Sequence, residues 1–212
     1  SADPSTATTG EVWYNSTSGT LKATVMSSAA WSSGGALNGG RRLQGNAGGK
    51  DAGLTFGGYS PSPEMLDTSE EYDGSSWTAS NTLNTGRYGL RGFGIQTAAV
   101  AVGGQVPGGQ TTAAENYDGS TWTNTGAMSI AREEATVFGI QAAGVACGGF
   151  NSTTNVPETE EFNGSTWSSN PNNLNTTSYA GMSAGTLTAG VRAGGVNPYP
   201  SGTKITVTEE FD

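Results

Sequence analysis

The side chains able to do acid–base or nucleophilic work in this chain of 212 residues are carboxylates, arginines and one thiol, because there is no histidine. Without histidine, neither a Ser-His-Asp triad nor an imidazole general base can be assembled. Adjacent carboxylate pairs include Glu70-Glu71, Glu160-Glu161 and Glu209-Glu210. Two carboxylates flanking a glycosidic bond would suit glycoside hydrolysis. These pairs, however, fall at equivalent steps of a sequence repeat, so symmetry spreads them apart. The expected arrangement turns one glutamate of a pair toward an arginine such as Arg87 or Arg132, and its neighbour toward solvent. Cys147 sits in the apolar run Gly144-Val145-Ala146-Cys147 with no basic neighbour, which suits a buried small hydrophobe better than a thiolate. A single cysteine allows no internal disulfide. No Asp-x-Asp-x-Asp loop is present for calcium. The expectation is a chain without catalytic residues, metal or cofactor.

The repeat that positions these groups is carried by three marks in phase. Tryptophans stand at Trp31, Trp77, Trp122 and Trp167, spaced by 46, 45 and 45 residues. Double glycines keep the same beat at Gly57-Gly58, Gly103-Gly104, Gly148-Gly149 and Gly194-Gly195, and so do Leu37-Asn38, Leu83-Asn84, Met128-Ser129 and Leu174-Asn175. A period in this range means an array, a solenoid or a propeller. Within a unit, residues 88–93 and 96–102 read as short strands, then come the double glycine, a polar loop and an acid with an aromatic. In Glu115-Asn116-Tyr117-Asp118-Gly119-Ser120-Thr121-Trp122 the Asp-Gly step predicts a hairpin with a type I′ turn, and the tryptophan opens a fourth strand. Four antiparallel strands per unit make one propeller blade.

Double glycine, acid with aromatic, and tryptophan at this period resemble the kelch repeat over residues 31–212. Arg41, Arg87 and Arg132 match the basic residue that kelch units often carry before the first strand, and unit four departs with Ser178-Tyr179. Galactose oxidase shares that architecture, but its copper site needs histidines. Tyr-Asp-Gly-Ser-Thr-Trp also resembles the Asp box of sialidases, which requires a residue between Asp and Gly that is missing here. The resemblance implies an all-β propeller, and the count of units, with its two ends combined, makes it four-bladed. Blades are expected over about 39–78, 85–123, 130–168 and 176–212, the last completed by residues 24–33. Trp31 lacks a preceding Glu-x-Tyr-Asp-Gly-Ser, and the stretch Thr208-Glu209-Glu210-Phe211-Asp212 has no tryptophan after it. Pairing those two halves would close the ring and remove exposed sheet edges. Small runs such as Ala98-Ala99-Val100-Ala101 are expected next to the crowded axis.

Residues 1–23 read as a separate arm, with a hairpin around Asn15-Ser16-Thr17-Ser18-Gly19. Its Glu11-Val12-Trp13-Tyr14-Asn15 resembles small modules of tailed-bacteriophage fibre and virion proteins. Together with units rich in Gly, Ser, Thr and Asn, the chain is most similar to structural proteins predicted for marine bacteriophages. The resemblance implies a non-enzymatic virion component: a tail fibre, tail protein or capsid decoration on the particle surface. Val12, Trp13, Tyr14 and Leu21 would then attach the arm to another virion protein or to a second copy. The net charge of −9 repels phosphate backbones and anionic membranes, so neither nucleic acid nor membrane is an expected partner. No run reaches membrane-spanning length, and the first residues read without a secretion signal. The loops after each double glycine, residues 59–67, 105–112, 150–157 and 196–203, differ most between units. Their aromatics, Tyr59, Phe150 and Tyr199, suit contact with a host glycan or protein. The rival expectation is a secreted lectin or carbohydrate-active enzyme on the same scaffold.

Overall fold

A computed structural model describes residues 12–23, 32–62, 64–198 and 202–212. It divides the chain into two units, Ser1–Ser33 and Gly34–Asp212. In the first, strands Val12–Asn15 and Thr20–Ala23 pair as an antiparallel hairpin. Asn15 accepts from the backbone N–H groups of Thr17 and Ser18 at 3.0 Å each, which holds the intervening turn.

The second unit is all-β and forms a four-bladed propeller. The first blade comprises Gly45–Gly49, Ala52–Phe56, Ser69–Tyr72 and Trp77–Ser80. The second comprises Arg91–Ile95, Ala98–Val102, Ala114–Tyr117 and Trp122–Asn124. The third comprises Thr136–Ile140, Ala143–Cys147, Thr159–Phe162 and Trp167–Asn170. Each is an antiparallel meander in chain order. The fourth shows three strands among the described residues: Met182–Thr186, Ala189–Ala193 and Thr208–Phe211. Residues 24–31, which include Trp31 and most of the segment expected to complete this blade, lie outside the described residues, as does Tyr199.

The expected strand at residues 88–93 begins later, at Arg91. Gly89, at φ +65°, turns the chain first, and Tyr88 forms only an isolated bridge to Gln105. Gln96, expected in the second strand, lies in the turn before it. Its Nε2 reaches back to the carbonyls of Gly53 at 3.0 Å and Tyr72 at 2.9 Å in the first blade. Gln141 repeats this contact one blade on, with Ala99 and Tyr117. Nor do the alanine runs line the axis. The strand before each run does, and the four together surround a cavity of about 440 Å³ lined by residues that include Ala47, Phe93, Phe138 and Ala184.

Phenylalanines from one blade lie against glycine backbone of the next. A Cβ on Gly144 would stand 2.3 Å from the Phe93 ring, and one on Gly190 would stand 2.3 Å from Phe138. Leu54 and Phe56 pack with Ala99, Tyr117 and Trp122 between the first two blades, while Phe93, Val100 and Val102 pack with Ala146 and Phe162 between the next two. The tryptophans open the outer strands, but their environments differ. Trp122 is buried, 4.7 Å from Phe56, and its Nε1 donates to Ser69 Oγ at 3.0 Å. Trp77 and Trp167 are half-buried.

Candidate functional site

Each sequence mark becomes one part of a repeated clamp. Glu70, Glu115, Glu160 and Glu209 stand on third strands, and each faces an arginine of its own unit. Arg41 pairs with Glu70 at 2.5 Å, Arg87 with Glu115 at 3.1 Å, and Arg132 with Glu160 at 2.7 Å, all buried. The second carboxylate oxygen accepts backbone N–H from Asn38, Asn84, Ser129 or Asn175, which are the residues of the third mark. Arg132 also donates to the carbonyls of Gly148 and Glu158. Charges this buried are tolerated because pairing and hydrogen bonding offset the lost hydration. Burial pulls Arg132 below the usual arginine range against the opposing pull of Glu160.

The double glycines link these clamps around the ring. Both members adopt positive φ in all four units, for example +62° at Gly57 and +103° at Gly58. The second glycine donates its N–H to the next unit: Gly58 to Arg87 O, Gly104 to Arg132 O and Gly149 to Ser178 O. A side chain is strained at such φ, and a Cβ on Gly103 would also stand 2.4 Å from Arg132 O.

The fourth unit keeps the clamp with a relocated arginine. Ser178 holds the place of Arg41, Arg87 and Arg132, and the guanidinium comes instead from Arg192 on the second strand. Arg192 reaches Glu209 at 2.5 Å and donates to Ser178 Oγ and Thr176 O. Its counterparts in register are Ala101 and Ala146. Burial raises the Glu209 pKa, but hydrogen bonds from Arg192, Asn175 and Thr176 outweigh that effect and hold it below the ordinary value.

The paired glutamates therefore divide as expected on the arginine side, while their neighbours are less free. Glu71 is half-buried and accepts from the Tyr117 and Ser80 hydroxyls, and Glu161 accepts from Asn170. Burial, then the bond to Glu71, pushes Tyr117 up to about 12. Burial likewise pushes the Cys147 thiol up to about 11, so the thiolate form is scarce. The expected type I′ turns are absent. Tyr72 pairs with Trp77 across a four-residue loop in which Gly74 alone has positive φ, and Asp73 accepts from the N–H groups of Ser75 and Ser76 at 2.8 Å. Asp118 and Asn163 cap their turns in the same way. The side-chain cap makes a second positive φ unnecessary.

Outside the clamps, the repeat keeps its backbone and varies its side chains at one ring of positions. Bridges join Arg42 to Tyr59, Tyr88 to Gln105, Glu133 to Phe150 and Tyr179 to Val196, each tying a blade linker to the loop after a double glycine. Phe150, expected at the surface, is buried; its loop folds back through a second bridge to Asn155, as the loop of Tyr59 does through Met65. Tyr59 is half-exposed: the Arg42 guanidinium lies 5.4 Å above its ring, and Tyr88 meets it edge-on at 5.1 Å. A groove of about 320 Å³ opens beside them, lined by Gly40, Arg41, Arg42, Tyr59, Ser60 and Pro61. Glu133 occupies the place of Arg42 two units on; burial raises its pKa, and Gln110 donates to it at 3.0 Å.

A second cavity, about 430 Å³, lies between the third and fourth blades, lined by Phe138, Cys147, Thr159, Leu174, Arg192 and Phe211 among others. Phe211, Leu174 and Thr159 are the counterparts of Tyr117, Leu83 and Ser69, which surround or bond Trp122. In the hairpin unit, the register puts Val12, Tyr14 and Leu21 on one face, and all three are exposed. Trp13, expected with them, pairs with Lys22 on the opposite face. Among the described residues no cluster of His, Cys, Asp or Glu is arranged to hold a metal ion. No protein-family model and no curated protein matches this chain.

Proposed function

We propose that the chain is a non-enzymatic virion component of a bacteriophage, a tail fibre, tail protein or capsid decoration built on kelch-type repeats. Residues 1–23 attach it, and the propeller presents its loop face outward. The observation that carries this reading is how the reactive groups are used. The buried glutamates and their arginines are bound to one another and to backbone, and the one cysteine is held as a thiol. Side-chain variety is concentrated instead on the bridge ring of the loop face, where a fixed backbone carries a different pair in each unit. A scaffold that holds structure constant and varies one surface suits recognition. The exposed Val12, Tyr14 and Leu21 would be covered by another virion protein.

Deleting residues 1–22 tests the attachment. The truncated protein should melt like the parent and fail to enter particles. Normal incorporation, or loss of folding, would show that the arm is misassigned. A second reading, a glycan-binding lectin, is favoured by the Arg42–Tyr59–Tyr88 cluster and its groove. Binding to a host glycan would serve a virion protein equally well.

A further inference from the structure

Arg42 stands apart from every other arginine in the propeller. Arg41, Arg87, Arg132 and Arg192 are locked in the clamps, and Arg91 faces Glu134 at 3.6 Å. Arg42 is exposed, and among the described residues no carboxylate lies within ion-pair distance of it. Its partner is the Tyr59 ring, itself braced by Tyr88. Stacking of this kind fixes the plane of a guanidinium while leaving its N–H edge available, and that edge matches a planar anion through two parallel hydrogen bonds. The adjoining groove has a low floor of Gly40 and Pro61. Ser60 Oγ donates to Ser62 O at 2.9 Å, so its lone pairs stay free to accept from a ligand hydroxyl. A neighbouring cavity of about 380 Å³ shares Gly40, Arg41, Ser60 and Pro61 with this groove.

We propose that Arg42, Tyr59 and Ser60 form a binding site for a carboxylate-bearing saccharide. The carboxylate lies on the guanidinium edge, and the sugar ring lies along the Gly40–Pro61 floor with a hydroxyl donating to Ser60. The chemistry selects this class. The single guanidinium edge of Arg42 fits one planar carboxylate through two parallel hydrogen bonds. A shallow floor of glycine, proline and serine fits a ring bearing hydroxyls better than the side chains of an acidic peptide. The assignment rests on reading the loop face as a binding surface and is independent of the virion placement.

Calorimetric titration of the full chain with a galacturonate trisaccharide tests it, with the methyl-esterified trisaccharide and tri-aspartate as comparison probes. The acid should bind, and the ester at least about tenfold more weakly, as expected for loss of one charge-assisted bond. Arg42→Ala should weaken the acid by a similar factor and leave the melting temperature unchanged. Arg42→Lys should recover only part, because an ammonium offers a point charge in place of a fork. Tyr59→Leu should also weaken the acid, since it removes the ring against which the guanidinium rests. Equal binding of acid and ester, unaltered binding by Arg42→Ala, preference for tri-aspartate, or no heat with the acid would each overturn the proposal. None of these results bears on whether the protein enters particles, which the deletion of residues 1–22 decides separately.

Discussion

Moving the fourth clamp's arginine back to the place used in the other units tests the clamp as a unit. In Arg192→Ala, Glu209 loses its guanidinium and keeps only the N–H groups of Asn175 and Thr176 and the Asn175 amide. Breaking a buried ion pair by removing one partner costs about 3–5 kcal/mol. Glu209 retains 13% exposure of its side chain, so water and the remaining donors reduce the loss to about 2–3 kcal/mol. For a chain of this size that lowers the melting temperature by roughly 4–12 °C. Adding Ser178→Arg to Arg192→Ala rebuilds the arrangement of Arg87 and Ala101 in the second blade, and should recover more than half of the loss. Differential scanning calorimetry of parent, single and double variants reads both steps. The pH dependence is a second check. A carboxylate held below its ordinary value stabilises the fold above the unfolded pKa and loses that contribution as pH falls through the folded one. The gap between parent and Arg192→Ala should therefore close as the pH drops below 4.5. A single variant that melts like the parent, or a double variant no better than the single, would refute the clamp.

Other consequences follow from the same packing. Trp122→Ala should cost about 3–5 kcal/mol, since it empties a buried site and orphans Ser69, while half-exposed Trp77→Ala should cost less by the same calorimetric measure. Gly103→Ala, at φ +58° and against Arg132 O, should destabilise more than Gly49→Ala, which has neither a positive φ nor a neighbour within 4 Å; comparing their urea midpoints checks this. Asp73 and Asp118, held low by the N–H groups they accept, should titrate by NMR below 3.8, and the stability they confer should fade as pH falls through those values. Tyr117 should resist ionisation until about pH 12, so the stability it confers should decline between pH 10 and 12, as read by optical titration alongside melting.

Fold class, the repeat period and the glutamate–arginine pairing were legible in the sequence because each depends on a residue type recurring at one backbone position. The role of Asn38, Asn84 and Asn175 was visible only as a rhythm, since no spacing says that their N–H groups would meet a carboxylate thirty residues away. The Asp-Gly turn was misread because Asp73 caps the turn with its own carboxylate, and dihedral preferences alone do not include that bond. Arg192 was invisible for the opposite reason: it breaks the repeat at Ala101 and Ala146, and its use appears only beside the gap at Ser178. Phe150 looked like a surface aromatic because its counterpart Tyr59 lies in the same bridged loop and stays half-exposed, so the repeat does not mark which of the two is buried. The Arg42–Tyr59 pair lies seventeen residues apart on two loops, so only the bridge between them reveals it.

A propeller that binds without reacting retains its ligand and releases no product, and one measurement reads both. Purified full-length protein is incubated with an immobilised polyuronate, and bound protein and newly formed reducing ends are counted in the same sample. Retention of protein with no new ends above the buffer control is the predicted result. New ends that accumulate with time and disappear with Glu160→Gln or Glu161→Gln would contradict it, because they would show that the clamp carboxylate Glu160 or its neighbour Glu161 does chemistry.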